Sequence, residues 1–428
     1  MKSRRRNHLV VAGAVAITGA AVFVGTGFGS SSPPPAAEIG ATGSALDTAA
    51  FVNLADKVAI APAAAPKPAI PNLAVDLDKI VRDGDRYYAP LPDGKRATLT
   101  LDPNMQALAE KLLDESRAPR GGIVVMAPDG RILALAGRRT AEPKGGLSGT
   151  IDRSLATQPW APAASIFKLV TAAALVDAGV DPAEKVCYHG GLRAVQDHNL
   201  KDDPKRDGRC DSLAYGIAHS QNAIVGKLAF QKLEPKKLEA EAKLLGWAGA
   251  YPELQAQVGG ELMMGSARDL EFAQAAAGFS NTKLSALGGA VLAGTFAASG
   301  AQPVPRLVDA IDGVAVPGAP ARRTVSPDTA AAVAKMMAGT CDKGSAARSF
   351  GGRRDNKVAG KTGTLTREEP FYMEHSWFVG FAPQQKPQVI VSVVLGNPES
   401  WHLRGHEAAR RLIDRFLSPR PRAKGHKS

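Results

Sequence analysis

Residues 163–178 read AASIFKLVTAAALVDA, and this stretch decides how the rest of the sequence is interpreted. Its second part is almost wholly apolar and follows Pro162, which predicts a buried helix over 166–178. Ser165 stands where this helix begins, and Lys168 lies three residues further on. Residues at this spacing share one helix face. The stretch therefore predicts a hydroxyl and an amine in contact at the start of a buried helix.

The Ser-x-x-Lys pattern is weak by itself, because a chain of 428 residues should contain about one by chance. A second match, residues 280–283, lies in a polar stretch. Two further motifs strengthen the first. Ser220-Gln221-Asn222 follows 55 residues after Ser165, and Lys361-Thr362-Gly363-Thr364 lies in a predicted strand over 358–364. The order and the local context of the three motifs together indicate a functional site.

The sequence around these motifs alternates between strand-like and helix-like stretches. Residues 122–137 (GIVVMAPDGRILALAG) predict a β-hairpin with a Pro-Asp-Gly turn. Residues 99–113 predict a short extended segment and then a helix with Asp102 as its N-cap. The middle is Ala-rich with helical periods, and three strands are predicted near the end: 358–364, 377–381 and 389–395. This pattern predicts an α+β fold in which N- and C-terminal segments close one antiparallel sheet.

The three motifs resemble those of the penicillin-recognising serine acyltransferases, which include penicillin-binding proteins and serine β-lactamases. The resemblance extends over residues 97–417 and includes Pro162, the GSA segment at 344–346 and SWFVGFAP after the third motif. It implies the serine β-lactamase/transpeptidase-like fold, with an antiparallel sheet flanked by helices and an all-helical subdomain. One difference is local: Ala163 and Ala164 separate the proline from the serine, where the family usually has one small residue.

The resemblance implies a catalytic role for five residues. Ser165 would be the nucleophile and Lys168 the base that accepts its proton, since a serine hydroxyl reacts poorly without a base. For a lysine to be neutral near pH 7 its pKa must fall by about 3, which corresponds to about 4 kcal/mol. Burial and a second cation, Lys361, would both lower the pKa of Lys168. Ser220 would relay a proton to the leaving amine, and Asn222 would hold Lys168 and the substrate amide.

The third motif would bind the substrate. Thr362, Gly363 and Thr364, with the charge of Lys361, would receive a substrate carboxylate, and the backbone N–H groups of Ser165 and Thr364 would hold the oxyanion. The chemistry needs no cofactor. Each motif also has a purely structural interpretation. Ser165 would be a helix N-cap, and Lys168 a lysine whose stem packs while its amine reaches water. The second motif would be a polar loop or helix start, and the third an edge strand with a bulge glycine.

Charge is concentrated at the two ends of the chain. The net charge is +12, of which residues 1–7 carry +4 and residues 404–428 carry +6. The body between them is nearly neutral, so no nucleic-acid partner is expected. Residues 9–29 are an uncharged stretch long enough to span a bilayer, preceded by cations. This predicts a single-pass anchor in the bacterial cytoplasmic membrane with the body outside, the alternative being a cleaved signal peptide.

These patterns divide the chain into six segments. The expected order is a cytoplasmic tail (1–7), a transmembrane signal anchor (8–29), a Pro/Ala-rich linker (30–72), a short adaptor (73–96), a transpeptidase domain (97–417) and a basic tail (418–428). The segment before residue 97 is too short for a glycan-polymerising domain. A membrane glycan polymerase and other cell-wall assembly proteins are therefore expected partners.

Cysteines and histidines give weaker signals. In an exported body, Cys187 and Cys210 are the natural disulfide pair and Cys341 a buried small hydrophobe. His189, His198 and His219 lie near the first two cysteines, but their spacing matches no standard zinc pattern, so no metal is expected. Weaker candidates for the site, with surface, capping or packing roles as the alternative, are Glu261, Glu271 and Trp160.

The expected activity is that of a peptidoglycan D,D-transpeptidase acting on stem peptides that end in D-Ala-D-Ala, with β-lactams as further ligands. The alternatives are a D,D-carboxypeptidase or endopeptidase, a β-lactamase, and a non-catalytic penicillin-binding sensor or scaffold. The second motif weighs against the β-lactamases, because Gln221 stands where one branch has aspartate and Asn222 where another has an apolar residue. An anchor and a linker suit an enzyme that works on a polymer outside the membrane.

Overall fold

Strands from two parts of the chain distant in sequence form the central sheet of the computed structural model, which describes residues 73–139, 150–191, 194–279, 282–369 and 371–418. The α-helices are α1 Pro103–Ser116, α2 Ser154–Thr157, α3 Lys168–Asp177, α4 Leu213–Ala218, α5 Asn222–Lys232, α6 Pro235–Ala242, α7 Leu270–Ala276, α8 Ala286–Ala297, α9 Pro327–Asp342, α10 Ala347–Phe350 and α11 Gly405–Leu417. Short 3-10 turns span Leu77–Lys79, Ala164–Ile166, Asp197–Asn199 and Pro252–Leu254, and a π-turn spans Lys243–Trp247.

The strands are short except in the central sheet. They are β1 Val81–Asp83, β2 Arg86–Pro90, β3 Arg96–Leu99, β4 Arg120–Met126, β5 Ile132–Arg139, β6 Thr150–Ile151, β7 Ala161–Pro162, β8 Lys185–Tyr188, β9 Arg209–Ser212, β10 Gly260–Leu262, β11 Thr282–Leu284, β12 Ala301–Gln302, β13 Val308–Ile311, β14 Val314–Ala315, β15 Arg322–Arg323, β16 Ala359–Arg367, β17 Met373–Ala382 and β18 Val389–Asn397.

The central sheet has the order β16-β17-β18-β4-β5-β6, and its pairings are antiparallel. The N-terminal hairpin β4–β5 therefore joins the C-terminal strands at β18, which confirms the predicted closure and the α+β class. Both faces of the sheet are buried. On β4, Ile123 and Val125 pack with α1 and α11, whereas Val124 and Met126 pack with the core that contains α8. This explains why these strands are continuously apolar rather than alternating.

Local signals set the boundaries of several elements. The Asp102 side chain accepts hydrogen bonds from the N–H groups of Asn104 and Met105, and Pro103 is the first residue of α1, as predicted. The predicted helix over 166–178 is divided: a 3-10 turn, Ala164–Ile166, comes first and α3 begins only at Lys168.

The predicted adaptor, 73–96, is part of the folded body. Strands β1 to β3 form a sheet of order β1-β2-β3-β13-β14, which joins the adaptor to residues 308–315. Leu73, Val75 and Leu77 lie in the same hydrophobic core as α3 and α8.

The predicted cytoplasmic tail, anchor and linker (1–72) lie outside the described residues, as does the basic tail after Ser418. In the part of the chain that the structure describes, no helix has the length and apolarity needed to cross a membrane.

Candidate active site

The candidate nucleophile lies in a tight turn between β7 and α3. Ser165 is the second residue of the 3-10 turn, and its Oγ lies 2.7 Å from Lys168 Nζ. The preceding Ala164 has a φ of +49°, in the left-handed region. A Cβ added at Gly278 would lie 2.0 Å from the Ala164 carbonyl oxygen, so only glycine allows this close contact. Ala164, the second of the two alanines between Pro162 and Ser165, thus forms a sharp bend, and Gly278 leaves room for it.

Lys168 is completely buried, and its amine has three oxygen neighbours. Nζ lies 2.7 Å from Ser165 Oγ, 2.7 Å from Asn222 Oδ1 and 2.6 Å from the Ala277 carbonyl oxygen. Asn222 Oδ1 and the Ala277 oxygen can only accept hydrogen bonds, whereas the Ser165 hydroxyl can donate one. A neutral amine has two N–H groups and one lone pair. The three oxygens can accept from an ammonium, and the same positions serve an uncharged Lys168 that donates twice and takes the Ser165 proton.

The environment favours that uncharged state. Burial lowers the pKa of Lys168 well below its ordinary value, and the nearby charge of Lys361 lowers this pKa further. Neither acceptor of the amine is an anion that would favour the ammonium form. The base that the sequence predicted thus lies in the surroundings that its chemistry requires.

Lys361 forms the second buried amine of the site. It lies in β16, is completely buried, and places Nζ 3.0 Å from Ser220 Oγ and 2.9 Å from the Thr362 carbonyl oxygen. Burial lowers the pKa of Lys361 to about 7. This amine can therefore exchange a proton near neutral pH.

Residues of the second motif contact both lysines of the site. Ser220 has a φ of +57° in the turn between α4 and α5, and its hydroxyl faces Lys361. Asn222 begins α5 and faces Lys168, while Gln221 between them caps the helix by accepting a hydrogen bond from the Ala223 N–H. With this left-handed turn, Ser220 faces the Lys361 amine, whereas Asn222 faces the Lys168 amine.

The third motif lies along the nucleophile turn. A Cβ at Gly363 would lie 3.3 Å from Ile166 Cγ1 and 3.4 Å from the Ala163 carbonyl oxygen, so glycine lets β16 approach this turn closely. Thr362 is half-buried, with Oγ1 2.6 Å from Ser345 Oγ, and Thr364 is exposed. Lys168 thus contacts Ser165 and Asn222, Lys361 contacts Ser220, and Gly363 places the third motif against the nucleophile turn.

Sequence reasoning missed several backbone groups of the site. The Ala277 carbonyl follows α7 and accepts from Lys168, and the neighbouring Ala276 carbonyl accepts a hydrogen bond from Thr171 at 2.7 Å. A carbonyl oxygen exists at every residue, so no side-chain pattern could single these out. The only signal in the sequence was Gly278, the next residue, which has a left-handed φ of +90° in the structure.

A cavity of about 660 Å³ lies at the far end of β16 from Lys361. Residues of both charges line it, including Arg120, Arg367 and Glu369, together with Trp160 and Pro162. Pro162 lines the cavity and is the last residue of β7, so the cavity lies next to the start of the nucleophile turn. Trp160 also lines this cavity.

The other candidates have structural partners. Cys187 and Cys210 form a disulfide, and Cys341 is a buried free thiol. His189 bonds to Asp207 and His198. No cluster suited to a metal ion occurs among the described residues. In the second Ser-x-x-Lys match, Lys283 pairs with Glu261 at 2.7 Å and about half of each side chain is exposed, while Ser280 lies outside the described residues.

The chain is similar to known enzymes. The chain is 26% identical over 358 residues to the peptidoglycan D,D-transpeptidase PbpA of Mycolicibacterium smegmatis, covering 73% of this chain and 70% of that protein. It is 25% identical to PbpA of Mycobacterium tuberculosis, with 74% and 70% covered.

Solved structures show the same fold. A ceftriaxone acyl-enzyme complex of M. tuberculosis penicillin-binding protein A superposes with a TM-score of 0.62 at 23% identity, covering 76% of this chain and 80% of that one. The D,D-transpeptidase domain of a peptidoglycan glycosyltransferase from Eggerthella lenta gives 0.60 at 27% identity, with 76% and 83% covered. Residues 121–416 match the family described as the penicillin binding protein transpeptidase domain. The chain belongs to this penicillin-binding protein transpeptidase family.

Proposed function

We propose that this protein is a D,D-transpeptidase that cross-links peptidoglycan stem peptides ending in D-Ala-D-Ala. The observation that carries the proposal is the Lys168 amine, buried and held between two obligate acceptors, with its third neighbour the Ser165 hydroxyl. This is the arrangement that acyl transfer through a serine ester requires. The family match and the PbpA relatives support the same reaction.

Acylation begins when Lys168 takes the Ser165 proton. The Ser165 oxygen attacks the carbonyl carbon of the penultimate D-Ala, and the N–H groups of Ser165 and Thr364 stabilise the oxyanion. As the C–N bond breaks, the leaving D-Ala nitrogen takes the Ser220 proton. Ser220 regains a proton from Lys361, 3.0 Å away. The products are the serine ester, free D-Ala, a protonated Lys168 and a neutral Lys361.

Deacylation reverses these proton transfers with a different amine. The acceptor amine of a second stem peptide attacks the ester and loses one proton through Ser220 to Lys361. The Ser165 oxygen takes back its proton from Lys168 as the ester bond breaks. All groups return to their starting states, so the cycle closes without a cofactor. The pKa of Lys361, about 7, suits a group that gives up and regains a proton in each turnover.

Strand β16 provides the binding surface for the acyl donor. Its motif residues Lys361, Thr362 and Thr364 would bind the terminal carboxylate, and the rest of the stem peptide would extend along the strand towards the cavity at Arg367. The mixed charges that line this cavity suit a peptide that carries both carboxylate and ammonium groups.

The acceptor that attacks the ester distinguishes this function from its alternatives. A stem pentapeptide should release D-Ala and form a cross-linked dimer when a second stem with a free amine is present, as measured by liquid chromatography and mass spectrometry. With water as the only acceptor, D-Ala should be released at least about tenfold more slowly, because a transpeptidase transfers the acyl group mainly to an amine. Equal release without the amine would make the protein a carboxypeptidase. Release of no more than one D-Ala per protein molecule, with the serine ester persisting in the presence of the amine, would make it a sensor.

We also infer that the body works outside the cytoplasmic membrane, held by residues 8–29, and cooperates with a membrane glycan polymerase. The uncharged stretch after four cations and the Cys187–Cys210 disulfide support this location. In cells that produce the full chain, a membrane-impermeant protease should digest the body, and the protein should pellet with membranes. Protection from the protease in intact spheroplasts would contradict this location.

A further inference from the structure

The middle residue of the second motif is held by two neighbours. The Gln221 side chain is 6% exposed, and its Oε1 accepts a hydrogen bond from the Ala223 N–H at the start of α5. The same side chain hydrogen-bonds to the hydroxyl of Tyr188, the last residue of β8. Gln221 therefore links the turn of the second motif to the β8–β9 hairpin.

Tyr188 is fixed by the strand beside it. Its side chain is buried, and its Oη lies 3.0 Å from Asp211 Oδ2 in β9. A carboxylate oxygen accepts a hydrogen bond, so Tyr188 donates its one proton to Asp211, and its oxygen accepts from the Gln221 NH₂ group. The two hydrogen bonds run in one direction, from Gln221 through Tyr188 to Asp211, and each strengthens the other.

The hairpin that carries Tyr188 is itself fixed. Cys187 and Cys210, which precede Tyr188 and Asp211, lie opposite each other in the two strands and form the disulfide. Helix α5 contacts the same hairpin, because the fully buried Lys227 donates to the Cys187 carbonyl oxygen at 2.8 Å. The hairpin is thus a fixed support to which the Gln221 amide is attached.

Ser220 is the residue of the second motif that depends most on this support. It precedes Gln221 in a turn, and its left-handed φ of +57° is one that surrounding contacts must enforce in a residue other than glycine. Its Oγ lies 3.0 Å from Lys361 Nζ, the distance over which the relay passes its proton. Asn222, in contrast, is already the first residue of α5.

We propose that Tyr188 is a positioning residue that holds Ser220 in place through Gln221. The proposal rests on the transpeptidase function and deepens it, by assigning the orientation of the proton relay to a tyrosine outside the three motifs. The Tyr188 hydroxyl touches neither substrate nor Ser220. It acts by fixing the Gln221 amide, so that the neighbouring turn presents the Ser220 hydroxyl to Lys361 before the substrate arrives.

The test compares two acyl donors that share one acyl group. The first is a stem peptide ending in D-Ala-D-Ala, and the second is its thioester analogue, in which sulfur replaces the nitrogen of the terminal D-Ala. The leaving nitrogen needs the Ser220 proton, whereas a thiolate leaves without one. In Tyr188→Phe, kcat/KM for release of D-Ala should fall about tenfold, and kcat/KM for release of the thiol should change less than about twofold. The ratio of the two values within one protein does not depend on the fraction that is folded.

A double-mutant cycle tests the route of the effect. Gln221→Leu should lower the amide-to-thioester ratio as Tyr188→Phe does, and the double variant should lower it no further, because Tyr188 acts through Gln221. The matched control is Tyr87→Phe, which removes the hydroxyl of a buried tyrosine in β2 and should keep the ratio of the unchanged protein.

The proposal is overturned if the amide-to-thioester ratio of Tyr188→Phe equals that of the unchanged protein. An equal fall of both kcat/KM values gives that result and would mean that Tyr188 supports the fold only. Additive effects of Tyr188→Phe and Gln221→Leu on the ratio would also overturn it. If the unchanged protein releases neither D-Ala nor the thiol, the proposed function fails first, and that outcome is distinct from an unchanged ratio.

Discussion

Replacing Ser165 with alanine abolishes covalent labelling of the protein by a fluorescent penicillin. The expected loss is complete, because the Ser165 oxygen forms the ester and no neighbouring group of the site offers another activated hydroxyl at Lys168, whose other two neighbours are an amide oxygen and a carbonyl oxygen. The measurement is in-gel fluorescence after denaturation, with the melting temperature of the variant as a check on folding. The variant should fold, since Ser165 contributes only a small polar side chain in a turn.

The second Ser-x-x-Lys match provides the control. Ser280→Ala should be labelled at the rate of the unchanged protein, because Lys283 pairs with Glu261 and is about half-exposed. Labelling that persists in Ser165→Ala, or that disappears in Ser280→Ala, would place the nucleophile elsewhere.

Replacing Lys168 with methionine should slow acylation by penicillin by about 10²–10⁴-fold, the usual contribution of a positioned general base. Methionine fills a similar volume in the buried position but cannot accept the Ser165 proton. The measurement is the second-order rate constant of acylation by stopped-flow or quenched labelling.

Lys95→Met is the control for this substitution and should leave the rate within about twofold, because the Lys95 side chain forms an exposed ion pair with Asp93. A Lys168→Met variant that folds and reacts at the rate of the unchanged protein would show that another group activates Ser165.

The fold and the side chains of the site were largely predictable. Asp102 with Pro103 predicted the start of α1, and continuous apolar runs predicted strands buried on both faces. The motif residues could be found because nucleophile, base and relay need particular side chains at particular spacings. The contacts of Lys168 with Ser165 and Asn222, and of Lys361 with Ser220, came from the structure alone.

The remaining features depend on backbone and tertiary contacts. The Ala277 carbonyl and the left-handed Ala164 leave no side-chain pattern. The division of the predicted helix before Lys168 follows from the contact of Ala164 with Gly278, which is 114 positions away in the chain. The inclusion of residues 73–96 in a sheet with residues 308–315 depends on a long-range pairing that local periodicity does not encode.

The site also contains features that lower the stability of the fold. Two lysines are fully buried, and Ala164 and Ser220 both have left-handed backbone angles that non-glycine residues seldom adopt. Such features persist where surrounding packing enforces them, and they cluster at functional sites. Each buried lysine contacts a serine hydroxyl, Lys168 that of Ser165 and Lys361 that of Ser220, which supports the proposed chemistry.

The protonation state of Lys168 decides whether this lysine can act as the base that activates Ser165. In protein labelled with ¹³C at the lysine ε-carbon, the Lys168 resonance can be assigned by its absence in Lys168→Met and followed by NMR as pH is varied. We expect the Lys168 amine to lose its proton well below pH 10.5, because burial and the charge of Lys361 lower its pKa. A Lys168 resonance that titrates near 10.5, as that of an exposed lysine does, would mean that this amine is not the base.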